Sequence, residues 1–142
     1  MDKKTNSRLM CIAEQVLNDK RWTCPLFEKD KGHTTIYGSY DGQISALGVS
    51  ILMIGLRPTV SVYYQDGPVK DDAYRRGVLE VIARMLKVLN ETYSFNDAET
   101  MTRYILRPDR IDSELKSLKT NVLNCAIALK QVVRTYNLDK QK

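Results

Sequence analysis

The sequence predicts an all-α fold, a single-domain bundle of five to six helices ending in a long C-terminal helix, and three observations carry that reading. Tyr37, Tyr40, Ile44, Leu47, Ile51 and Ile54 lie 3, 4, 3, 4 and 3 residues apart, the repeat of one helix face. Ile111, Leu115, Leu118, Val122, Cys125, Leu129, Val132 and Tyr136 alternate steps of 4 and 3, a seam suited to packing on another helix. No strand–helix–strand pattern recurs, and no internal period suggests a repeat array. At 142 residues the chain (1–142) is one domain, long enough to bury about two thirds of the surface its unfolded form exposes.

The first helix is expected over residues 6–19, with Leu9, Ile12, Ala13, Val16 and Leu17 on one side, fraying at "NDKRW". "TCPLFEKDKGHTT" follows, and its Pro25, Gly32 and charge cluster predict an exposed connection. The next helix, residues 36–54, carries Gly38, Gly42 and Gly48, each costing about 0.5 to 1 kcal/mol relative to Ala, a cost that close packing would offset. Ala46, Val49, Ser50, Leu52 and Met53 fill its other faces, which suggests a central helix surrounded by the rest of the domain or by another subunit. Gly55 stops this helix and Pro58 opens the next segment.

"TVSVYY" reads both ways, as a strand by its alternation and as a short helix by its context. After "DGPVKDD", Asp71 or Asp72 caps a helix running to Asn90, with Tyr74, Val78, Val81, Met85 and Val88 inward. Asn96 or Asp97 starts "AETMTRYIL", which ends before Pro108 because the residue preceding proline disfavours helical geometry. Asp109 then opens the longest helix, about 26 residues. Residues 1–5 and 138–142 are the candidates for disorder.

The run "ISALGVSILMIGLRP" is too short for a membrane span: the stretch from Ile44 through Leu56 is 13 residues long where about 20 are needed. Cys11, Cys24 and Cys125 are odd in number and lack CxxC spacing, and "MDKKTNSRLMCIAEQ" does not read as a signal peptide, so a cytoplasmic protein is expected. Packing as small apolar side chains explains the cysteines on helix faces. His33 is the only histidine and lies in a loop, which excludes a multi-histidine metal site; no metal and no cofactor is expected. GxxxxGK[ST] and GxSxG are absent, and N-capping explains Asp71, Asp72, Asp109 and Asp112. Binding rather than catalysis is the expectation.

Twenty-two Lys and Arg against 17 Asp and Glu leave a charge of +5, which favours polyanionic partners. At about 100° per residue, Lys116, Lys119, Lys130 and Arg134 fall within about 60° on the long helix, away from its apolar seam. Leu123 and Ile127 share that arc and Asp112 stands at its start, so a solvated face or a protein contact competes with a phosphate track. Arg57, the pair Arg75 and Arg76, and Arg103, Arg107 and Arg110 around Pro108 have ordinary solubility as their simplest explanation. Arg76, Glu80 and Arg84 predict an ion-pair ladder. Trp22 either stacks on a base or covers the core beside Pro25.

Over residues 36–137 the chain resembles the small helical subunit of the type III-B CRISPR effector, the Cmr complex. The likeness rests on "YDGQISALGVSILMIGL" closing in Gly-Leu, on "PTVSVYY" after it, and on "ALKQVVRTYN" with Lys130 and Arg134 one turn apart. Pro58 with "TVSV", and Ala128 where a larger residue is common, depart from the family pattern. The resemblance implies a noncatalytic subunit present in several copies, self-associating head to tail in a filament beside the other effector-complex subunits that carry guide RNA, and helping hold target RNA. Arg57, Lys116, Lys119, Lys130 and Arg134 would then touch phosphates without reading sequence, because guide pairing supplies specificity. The alternative is an all-α adaptor with purely protein partners, in which the glycines of residues 36–54 together with Leu123 and Ile127 make oligomer contacts. A transcription regulator is disfavoured, since no short turn joins two helices in helix-turn-helix fashion.

Overall fold

The structure, a computed structural model, describes residues 1–69 and 73–139. Among them are six helices and one small parallel sheet, so the fold is all-α with a long last helix, as the periodicity predicts.

Helix α1 spans Lys3–Leu17 and buries Leu9, Ile12, Ala13, Val16 and Leu17. It starts earlier than expected because Asp2 accepts a hydrogen bond from the Thr5 amide at 2.7 Å, so residues 3–5 are helical. The connection that follows is less exposed than its composition suggests: Cys24, Leu26 and Phe27 are buried. Thr35–Tyr37 forms strand β1, and Asn137–Asp139 forms β2 alongside it, with Ile36 opposite Leu138. Two expectations are corrected here. Tyr37 belongs to the strand rather than to the helical stripe, and residues 138 and 139 are paired rather than frayed; residues 140–142 lie outside the described residues. A β-branched and aromatic Thr-Ile-Tyr run ahead of Gly38 favours extended backbone, and its partner strand is remote in sequence.

Helix α2, Ser39–Ile54, and α3, Leu56–Gln65, fold back on each other around Gly55, whose φ of +98° is a conformation that side-chain-bearing residues rarely adopt. The hydroxyls of Ser50 and Thr59 meet at 2.7 Å, and the Tyr63 hydroxyl donates to the Gln43 carbonyl at 2.7 Å. "TVSVYY" is therefore helical. Pro58 sits in the first turn of α3, where its missing N–H removes no helix hydrogen bond.

Helix α4, Arg76–Leu89, is capped from a distance: the Arg75 amide donates to the Asp66 carboxylate at 2.8 Å and the Arg76 amide to the Asp66 carbonyl at 3.1 Å. The expected caps Asp71 and Asp72 lie outside the described residues. Val78, Val81 and Met85 are buried, whereas Val88 is exposed. Gly77 is buried at a tight crossing, since a Cβ there would stand 2.7 Å from the Tyr40 hydroxyl.

Helix α5, Ala98–Leu106, opens with a capping box between Asp97 and Thr100. It ends at Arg107, whose φ of −63° and ψ of 129° are the extended geometry required before Pro108. Helix α6 spans Asp112–Val133, with Ile111 rather than Asp109 at its N-cap; Asp109 instead holds Arg107 at 2.7 Å. The seam residues Leu118, Val122, Cys125, Leu129 and Val132 are buried, while Ile111 stays exposed and Tyr136 falls beyond the helix end. Helix α6 packs on α1, α2 and α4 and is the centre of the bundle. Among the described residues, no helix is long and apolar enough to cross a membrane.

Candidate functional site

The predicted basic arc of α6 is split in two by what lies opposite it. Near the C-terminus of α6 the arc leans on the start of α2, which runs antiparallel beside it. The Arg134 guanidinium donates to the Asp41 carboxylate at 3.1 Å, the Lys130 ammonium stands 3.9 Å from the same carboxylate, and Lys130 also donates to the Ser45 hydroxyl. Asp41 is 22% exposed and Lys130 31%, so this is a half-buried junction of two helices, with Arg134 further out at 61%. Toward the N-terminus, Lys116 is exposed and Lys119 half-buried, and neither has a side-chain partner among the described residues.

Arg57 is committed elsewhere. It donates to the Ile105 carbonyl at 2.9 Å and to the Arg107 carbonyl at 3.0 Å, tying α3 to the end of α5. These carbonyls are part of the unsatisfied negative end of α5, which a guanidinium neutralises. Of the five expected phosphate contacts, the structure brings Lys130 and Arg134 together, keeps Lys116 and Lys119 one turn apart on the outside, and places Arg57 in an internal link.

The second feature is an apolar outer face. Helix α2 buries Tyr40, Ile44, Leu47 and Ile51 against the bundle, yet Val49 is 56% exposed, Leu52 69%, Met53 77% and Ile54 56%. Of the two surroundings expected for this helix, the rest of its own domain does not cover it on every side: it lies at the edge. Ile127, 50% exposed, and the half-buried Leu123 continue the apolar surface across α6. Between α2 and α6 runs a groove of about 360 Å³, floored by Ile44, Gly48 and Ala126 and closed at one end by Lys130. A helix that is apolar all round ordinarily has neighbours all round.

The glycines of α2 sharpen the point. A Cβ at Gly42 would meet nothing within 4 Å, and one at Gly48 would touch only the Leu123 side chain at 3.9 Å. Close packing inside the chain therefore does not offset their helix cost, contrary to expectation.

The other candidate residues are accounted for locally. His33 is exposed, stacks on Phe27 with centroids 4.1 Å apart, and contacts the Asn18 side chain at 2.8 Å. Trp22 donates to the Val16 carbonyl at 2.9 Å and is covered by the Arg84 guanidinium at 3.9 Å, so its ring lies against the core with one face occupied. Half the predicted ladder forms: Arg84 meets Glu80 at 2.7 Å, but Arg76 donates to the Tyr64 carbonyl and covers the Tyr64 ring. Burial pushes the Cys24 and Cys125 thiols up to about 12, whereas Cys11 is exposed rather than packed. No group of three or more His, Cys, Asp or Glu suited to a metal occurs among the described residues.

Asp41 and Gly77 are the structural residues that periodicity missed. The only trace of the first is a lone acid in the first turn of an otherwise uncharged helix, and of the second a glycine at a helix start. Comparison with family models, with curated proteins and with solved structures finds no match to this chain.

Proposed function

We propose that this chain is a noncatalytic small subunit of a type III-B CRISPR RNA-guided effector, packing through the outer face of α2 into a filament of subunits and helping hold target RNA. The observation that carries the assembly half is the exposed apolar surface of Val49, Leu52 and Met53, continued by Ile54 at the helix end, beside Gly42, which has open space above it. Surfaces of this kind mark protein interaction sites, and burying each large side chain contributes about 1.5 to 3 kcal/mol. The effector identity comes from the sequence resemblance, and the net charge of +5 is in keeping with it.

Within this reading Lys116 and Lys119 are the leading phosphate contacts, because each has its full charge available. Lys130 and Arg134, about three turns further along α6, form a second rank, their charge already shared with Asp41. Such contacts hold RNA without reading its sequence.

The pairing of Lys130 and Arg134 with α2, and of Arg57 with α5, favours a second reading, an all-α adaptor whose partners are proteins alone. Recovery of the tagged full chain from its native cells, with the bound RNA sequenced, separates the two. Guide RNA in the recovered particle, lost gradually as salt is raised, is the expected result. A particle of proteins without guide RNA would leave the adaptor reading in its place.

A further inference from the structure

We propose that the corner between α5 and α6 is a separate phosphate-binding site, formed by Arg103, Arg107 and Arg110. The three side chains line one open cleft of about 440 Å³ together with Tyr104 and Pro108. It lies on a different side of α6 from Lys116: Glu114, which faces α5, is about 160° round the helix from that lysine. The site thus goes beyond the contacts of the proposed function.

Several features suit the cleft to a phosphate. The C-terminal end of α5, whose carbonyls would repel an anion, is covered by the Arg57 guanidinium at 2.9 and 3.0 Å. Arg110 is fixed flat over the Tyr104 ring at 3.6 Å and donates to the Tyr104 carbonyl at 3.2 Å, so its plane is set before any ligand arrives. Arg107 presents two N–H groups to the Asp109 carboxylate at 3.1 and 2.7 Å, the fork geometry with which arginine also grips phosphate. Arg103 is exposed and has no partner among the described residues.

The counter-charges are Asp109 and Glu114, the latter 3.3 Å from Arg110. The Arg107–Asp109 pair is open to solvent, at 55% and 66%, so an incoming phosphate competes there with a weak surface pair, whereas Arg110, at 16%, is more enclosed and reaches Glu114 at 40%. An RNA strand or a free nucleotide carries the group this cleft would hold.

The test follows the arginine side-chain N–H resonances of the full chain while single-stranded RNA, and separately AMP, is added. Arg103, Arg107 and Arg110 should shift and saturate with at least one probe, and Arg103→Glu should weaken that binding about tenfold. Shifts with RNA alone assign the site to a strand; shifts with both assign it to a terminal phosphate. Arg21→Glu, which removes a remote pair with Asp19, should change nothing. Silence of the three arginines with both probes, equal affinity of Arg103→Glu, or a response to an acidic peptide in place of either phosphate would overturn the site. Perturbation of Lys116 and Lys119 with silent arginines would overturn the cleft and leave the proposed function standing. Responding arginines in a chain recovered without guide RNA would do the reverse.

Discussion

The two faces of α2 are almost equally apolar and have opposite fates. Tyr40, Ile44, Leu47 and Ile51 are no more than 1% exposed, whereas Val49, Leu52 and Met53 are all more than half exposed; Ile54, in line with the inner stripe, is exposed at the helix end. The glycines divide in the same way. Gly77, pressed against the inner side by the Tyr40 hydroxyl, has no room for a methyl group, while Gly42 has open space and Gly48 room for a methyl group in ordinary contact with Leu123. The difference teaches that the composition of this helix encodes two burial events. The chain completes the first by folding, and under the proposed function a partner completes the second.

The comparison can be broken most forcefully from the inside. Leu47→Ala should cost about 2 to 5 kcal/mol in chemical denaturation, the range for a fully buried leucine, and a loss below 1 kcal/mol would mean the inner face is loosely packed. From the outside, the double substitution Leu52→Glu and Met53→Glu should leave the stability of the isolated chain within about 0.5 kcal/mol. It should nevertheless remove the chain from its particle, and a folded double variant that still assembles would show the outer face to be mere surface. The two halves of the basic arc provide a third contrast. Reversing Lys116 and Lys119 to Glu should lower RNA retention about tenfold with no loss of stability. Asp41→Ala should instead cost about 1 kcal/mol of stability, by leaving Lys130 and Arg134 unpaired at the α2–α6 junction.

The smallest effect is the most diagnostic. Gly48→Ala should stabilise the free chain by about 0.5 to 1 kcal/mol, since a methyl group there meets only Leu123 and helix propensity improves. The same methyl group should weaken assembly if a neighbour approaches the backbone at that point. A thiol reagent offers a check on the core: Cys11 should react at once under native conditions. Cys24 and Cys125, with thiols pushed up to about 12, should react only on unfolding.

Much of the fold was legible because it rests on local rules. The stripes of α1 and α6, the cap at Asp97 and the stop before Pro108 depend on residues a few positions apart. What was not legible depends on residues brought together from afar. The strand at Thr35–Tyr37 exists through its pairing with Asn137–Asp139, and α4 takes its cap from Asp66 across a loop. The candidate phosphate contacts show the same boundary. A helical wheel places Lys116, Lys119, Lys130 and Arg134 on one arc, but it cannot show that Asp41 stands opposite only the last two. Periodicity likewise identified α2 as apolar on every face without indicating which of those faces the chain itself covers.

The most direct test of the central claim is native mass spectrometry of the particle recovered with the tagged chain, comparing the wild type with the Leu52→Glu, Met53→Glu variant. A particle containing several copies of the wild-type chain and a guide RNA, replaced by a folded, RNA-free monomer for the variant, is the result predicted. Recovery of the variant in the same particle, with the same copy number and RNA, would contradict it.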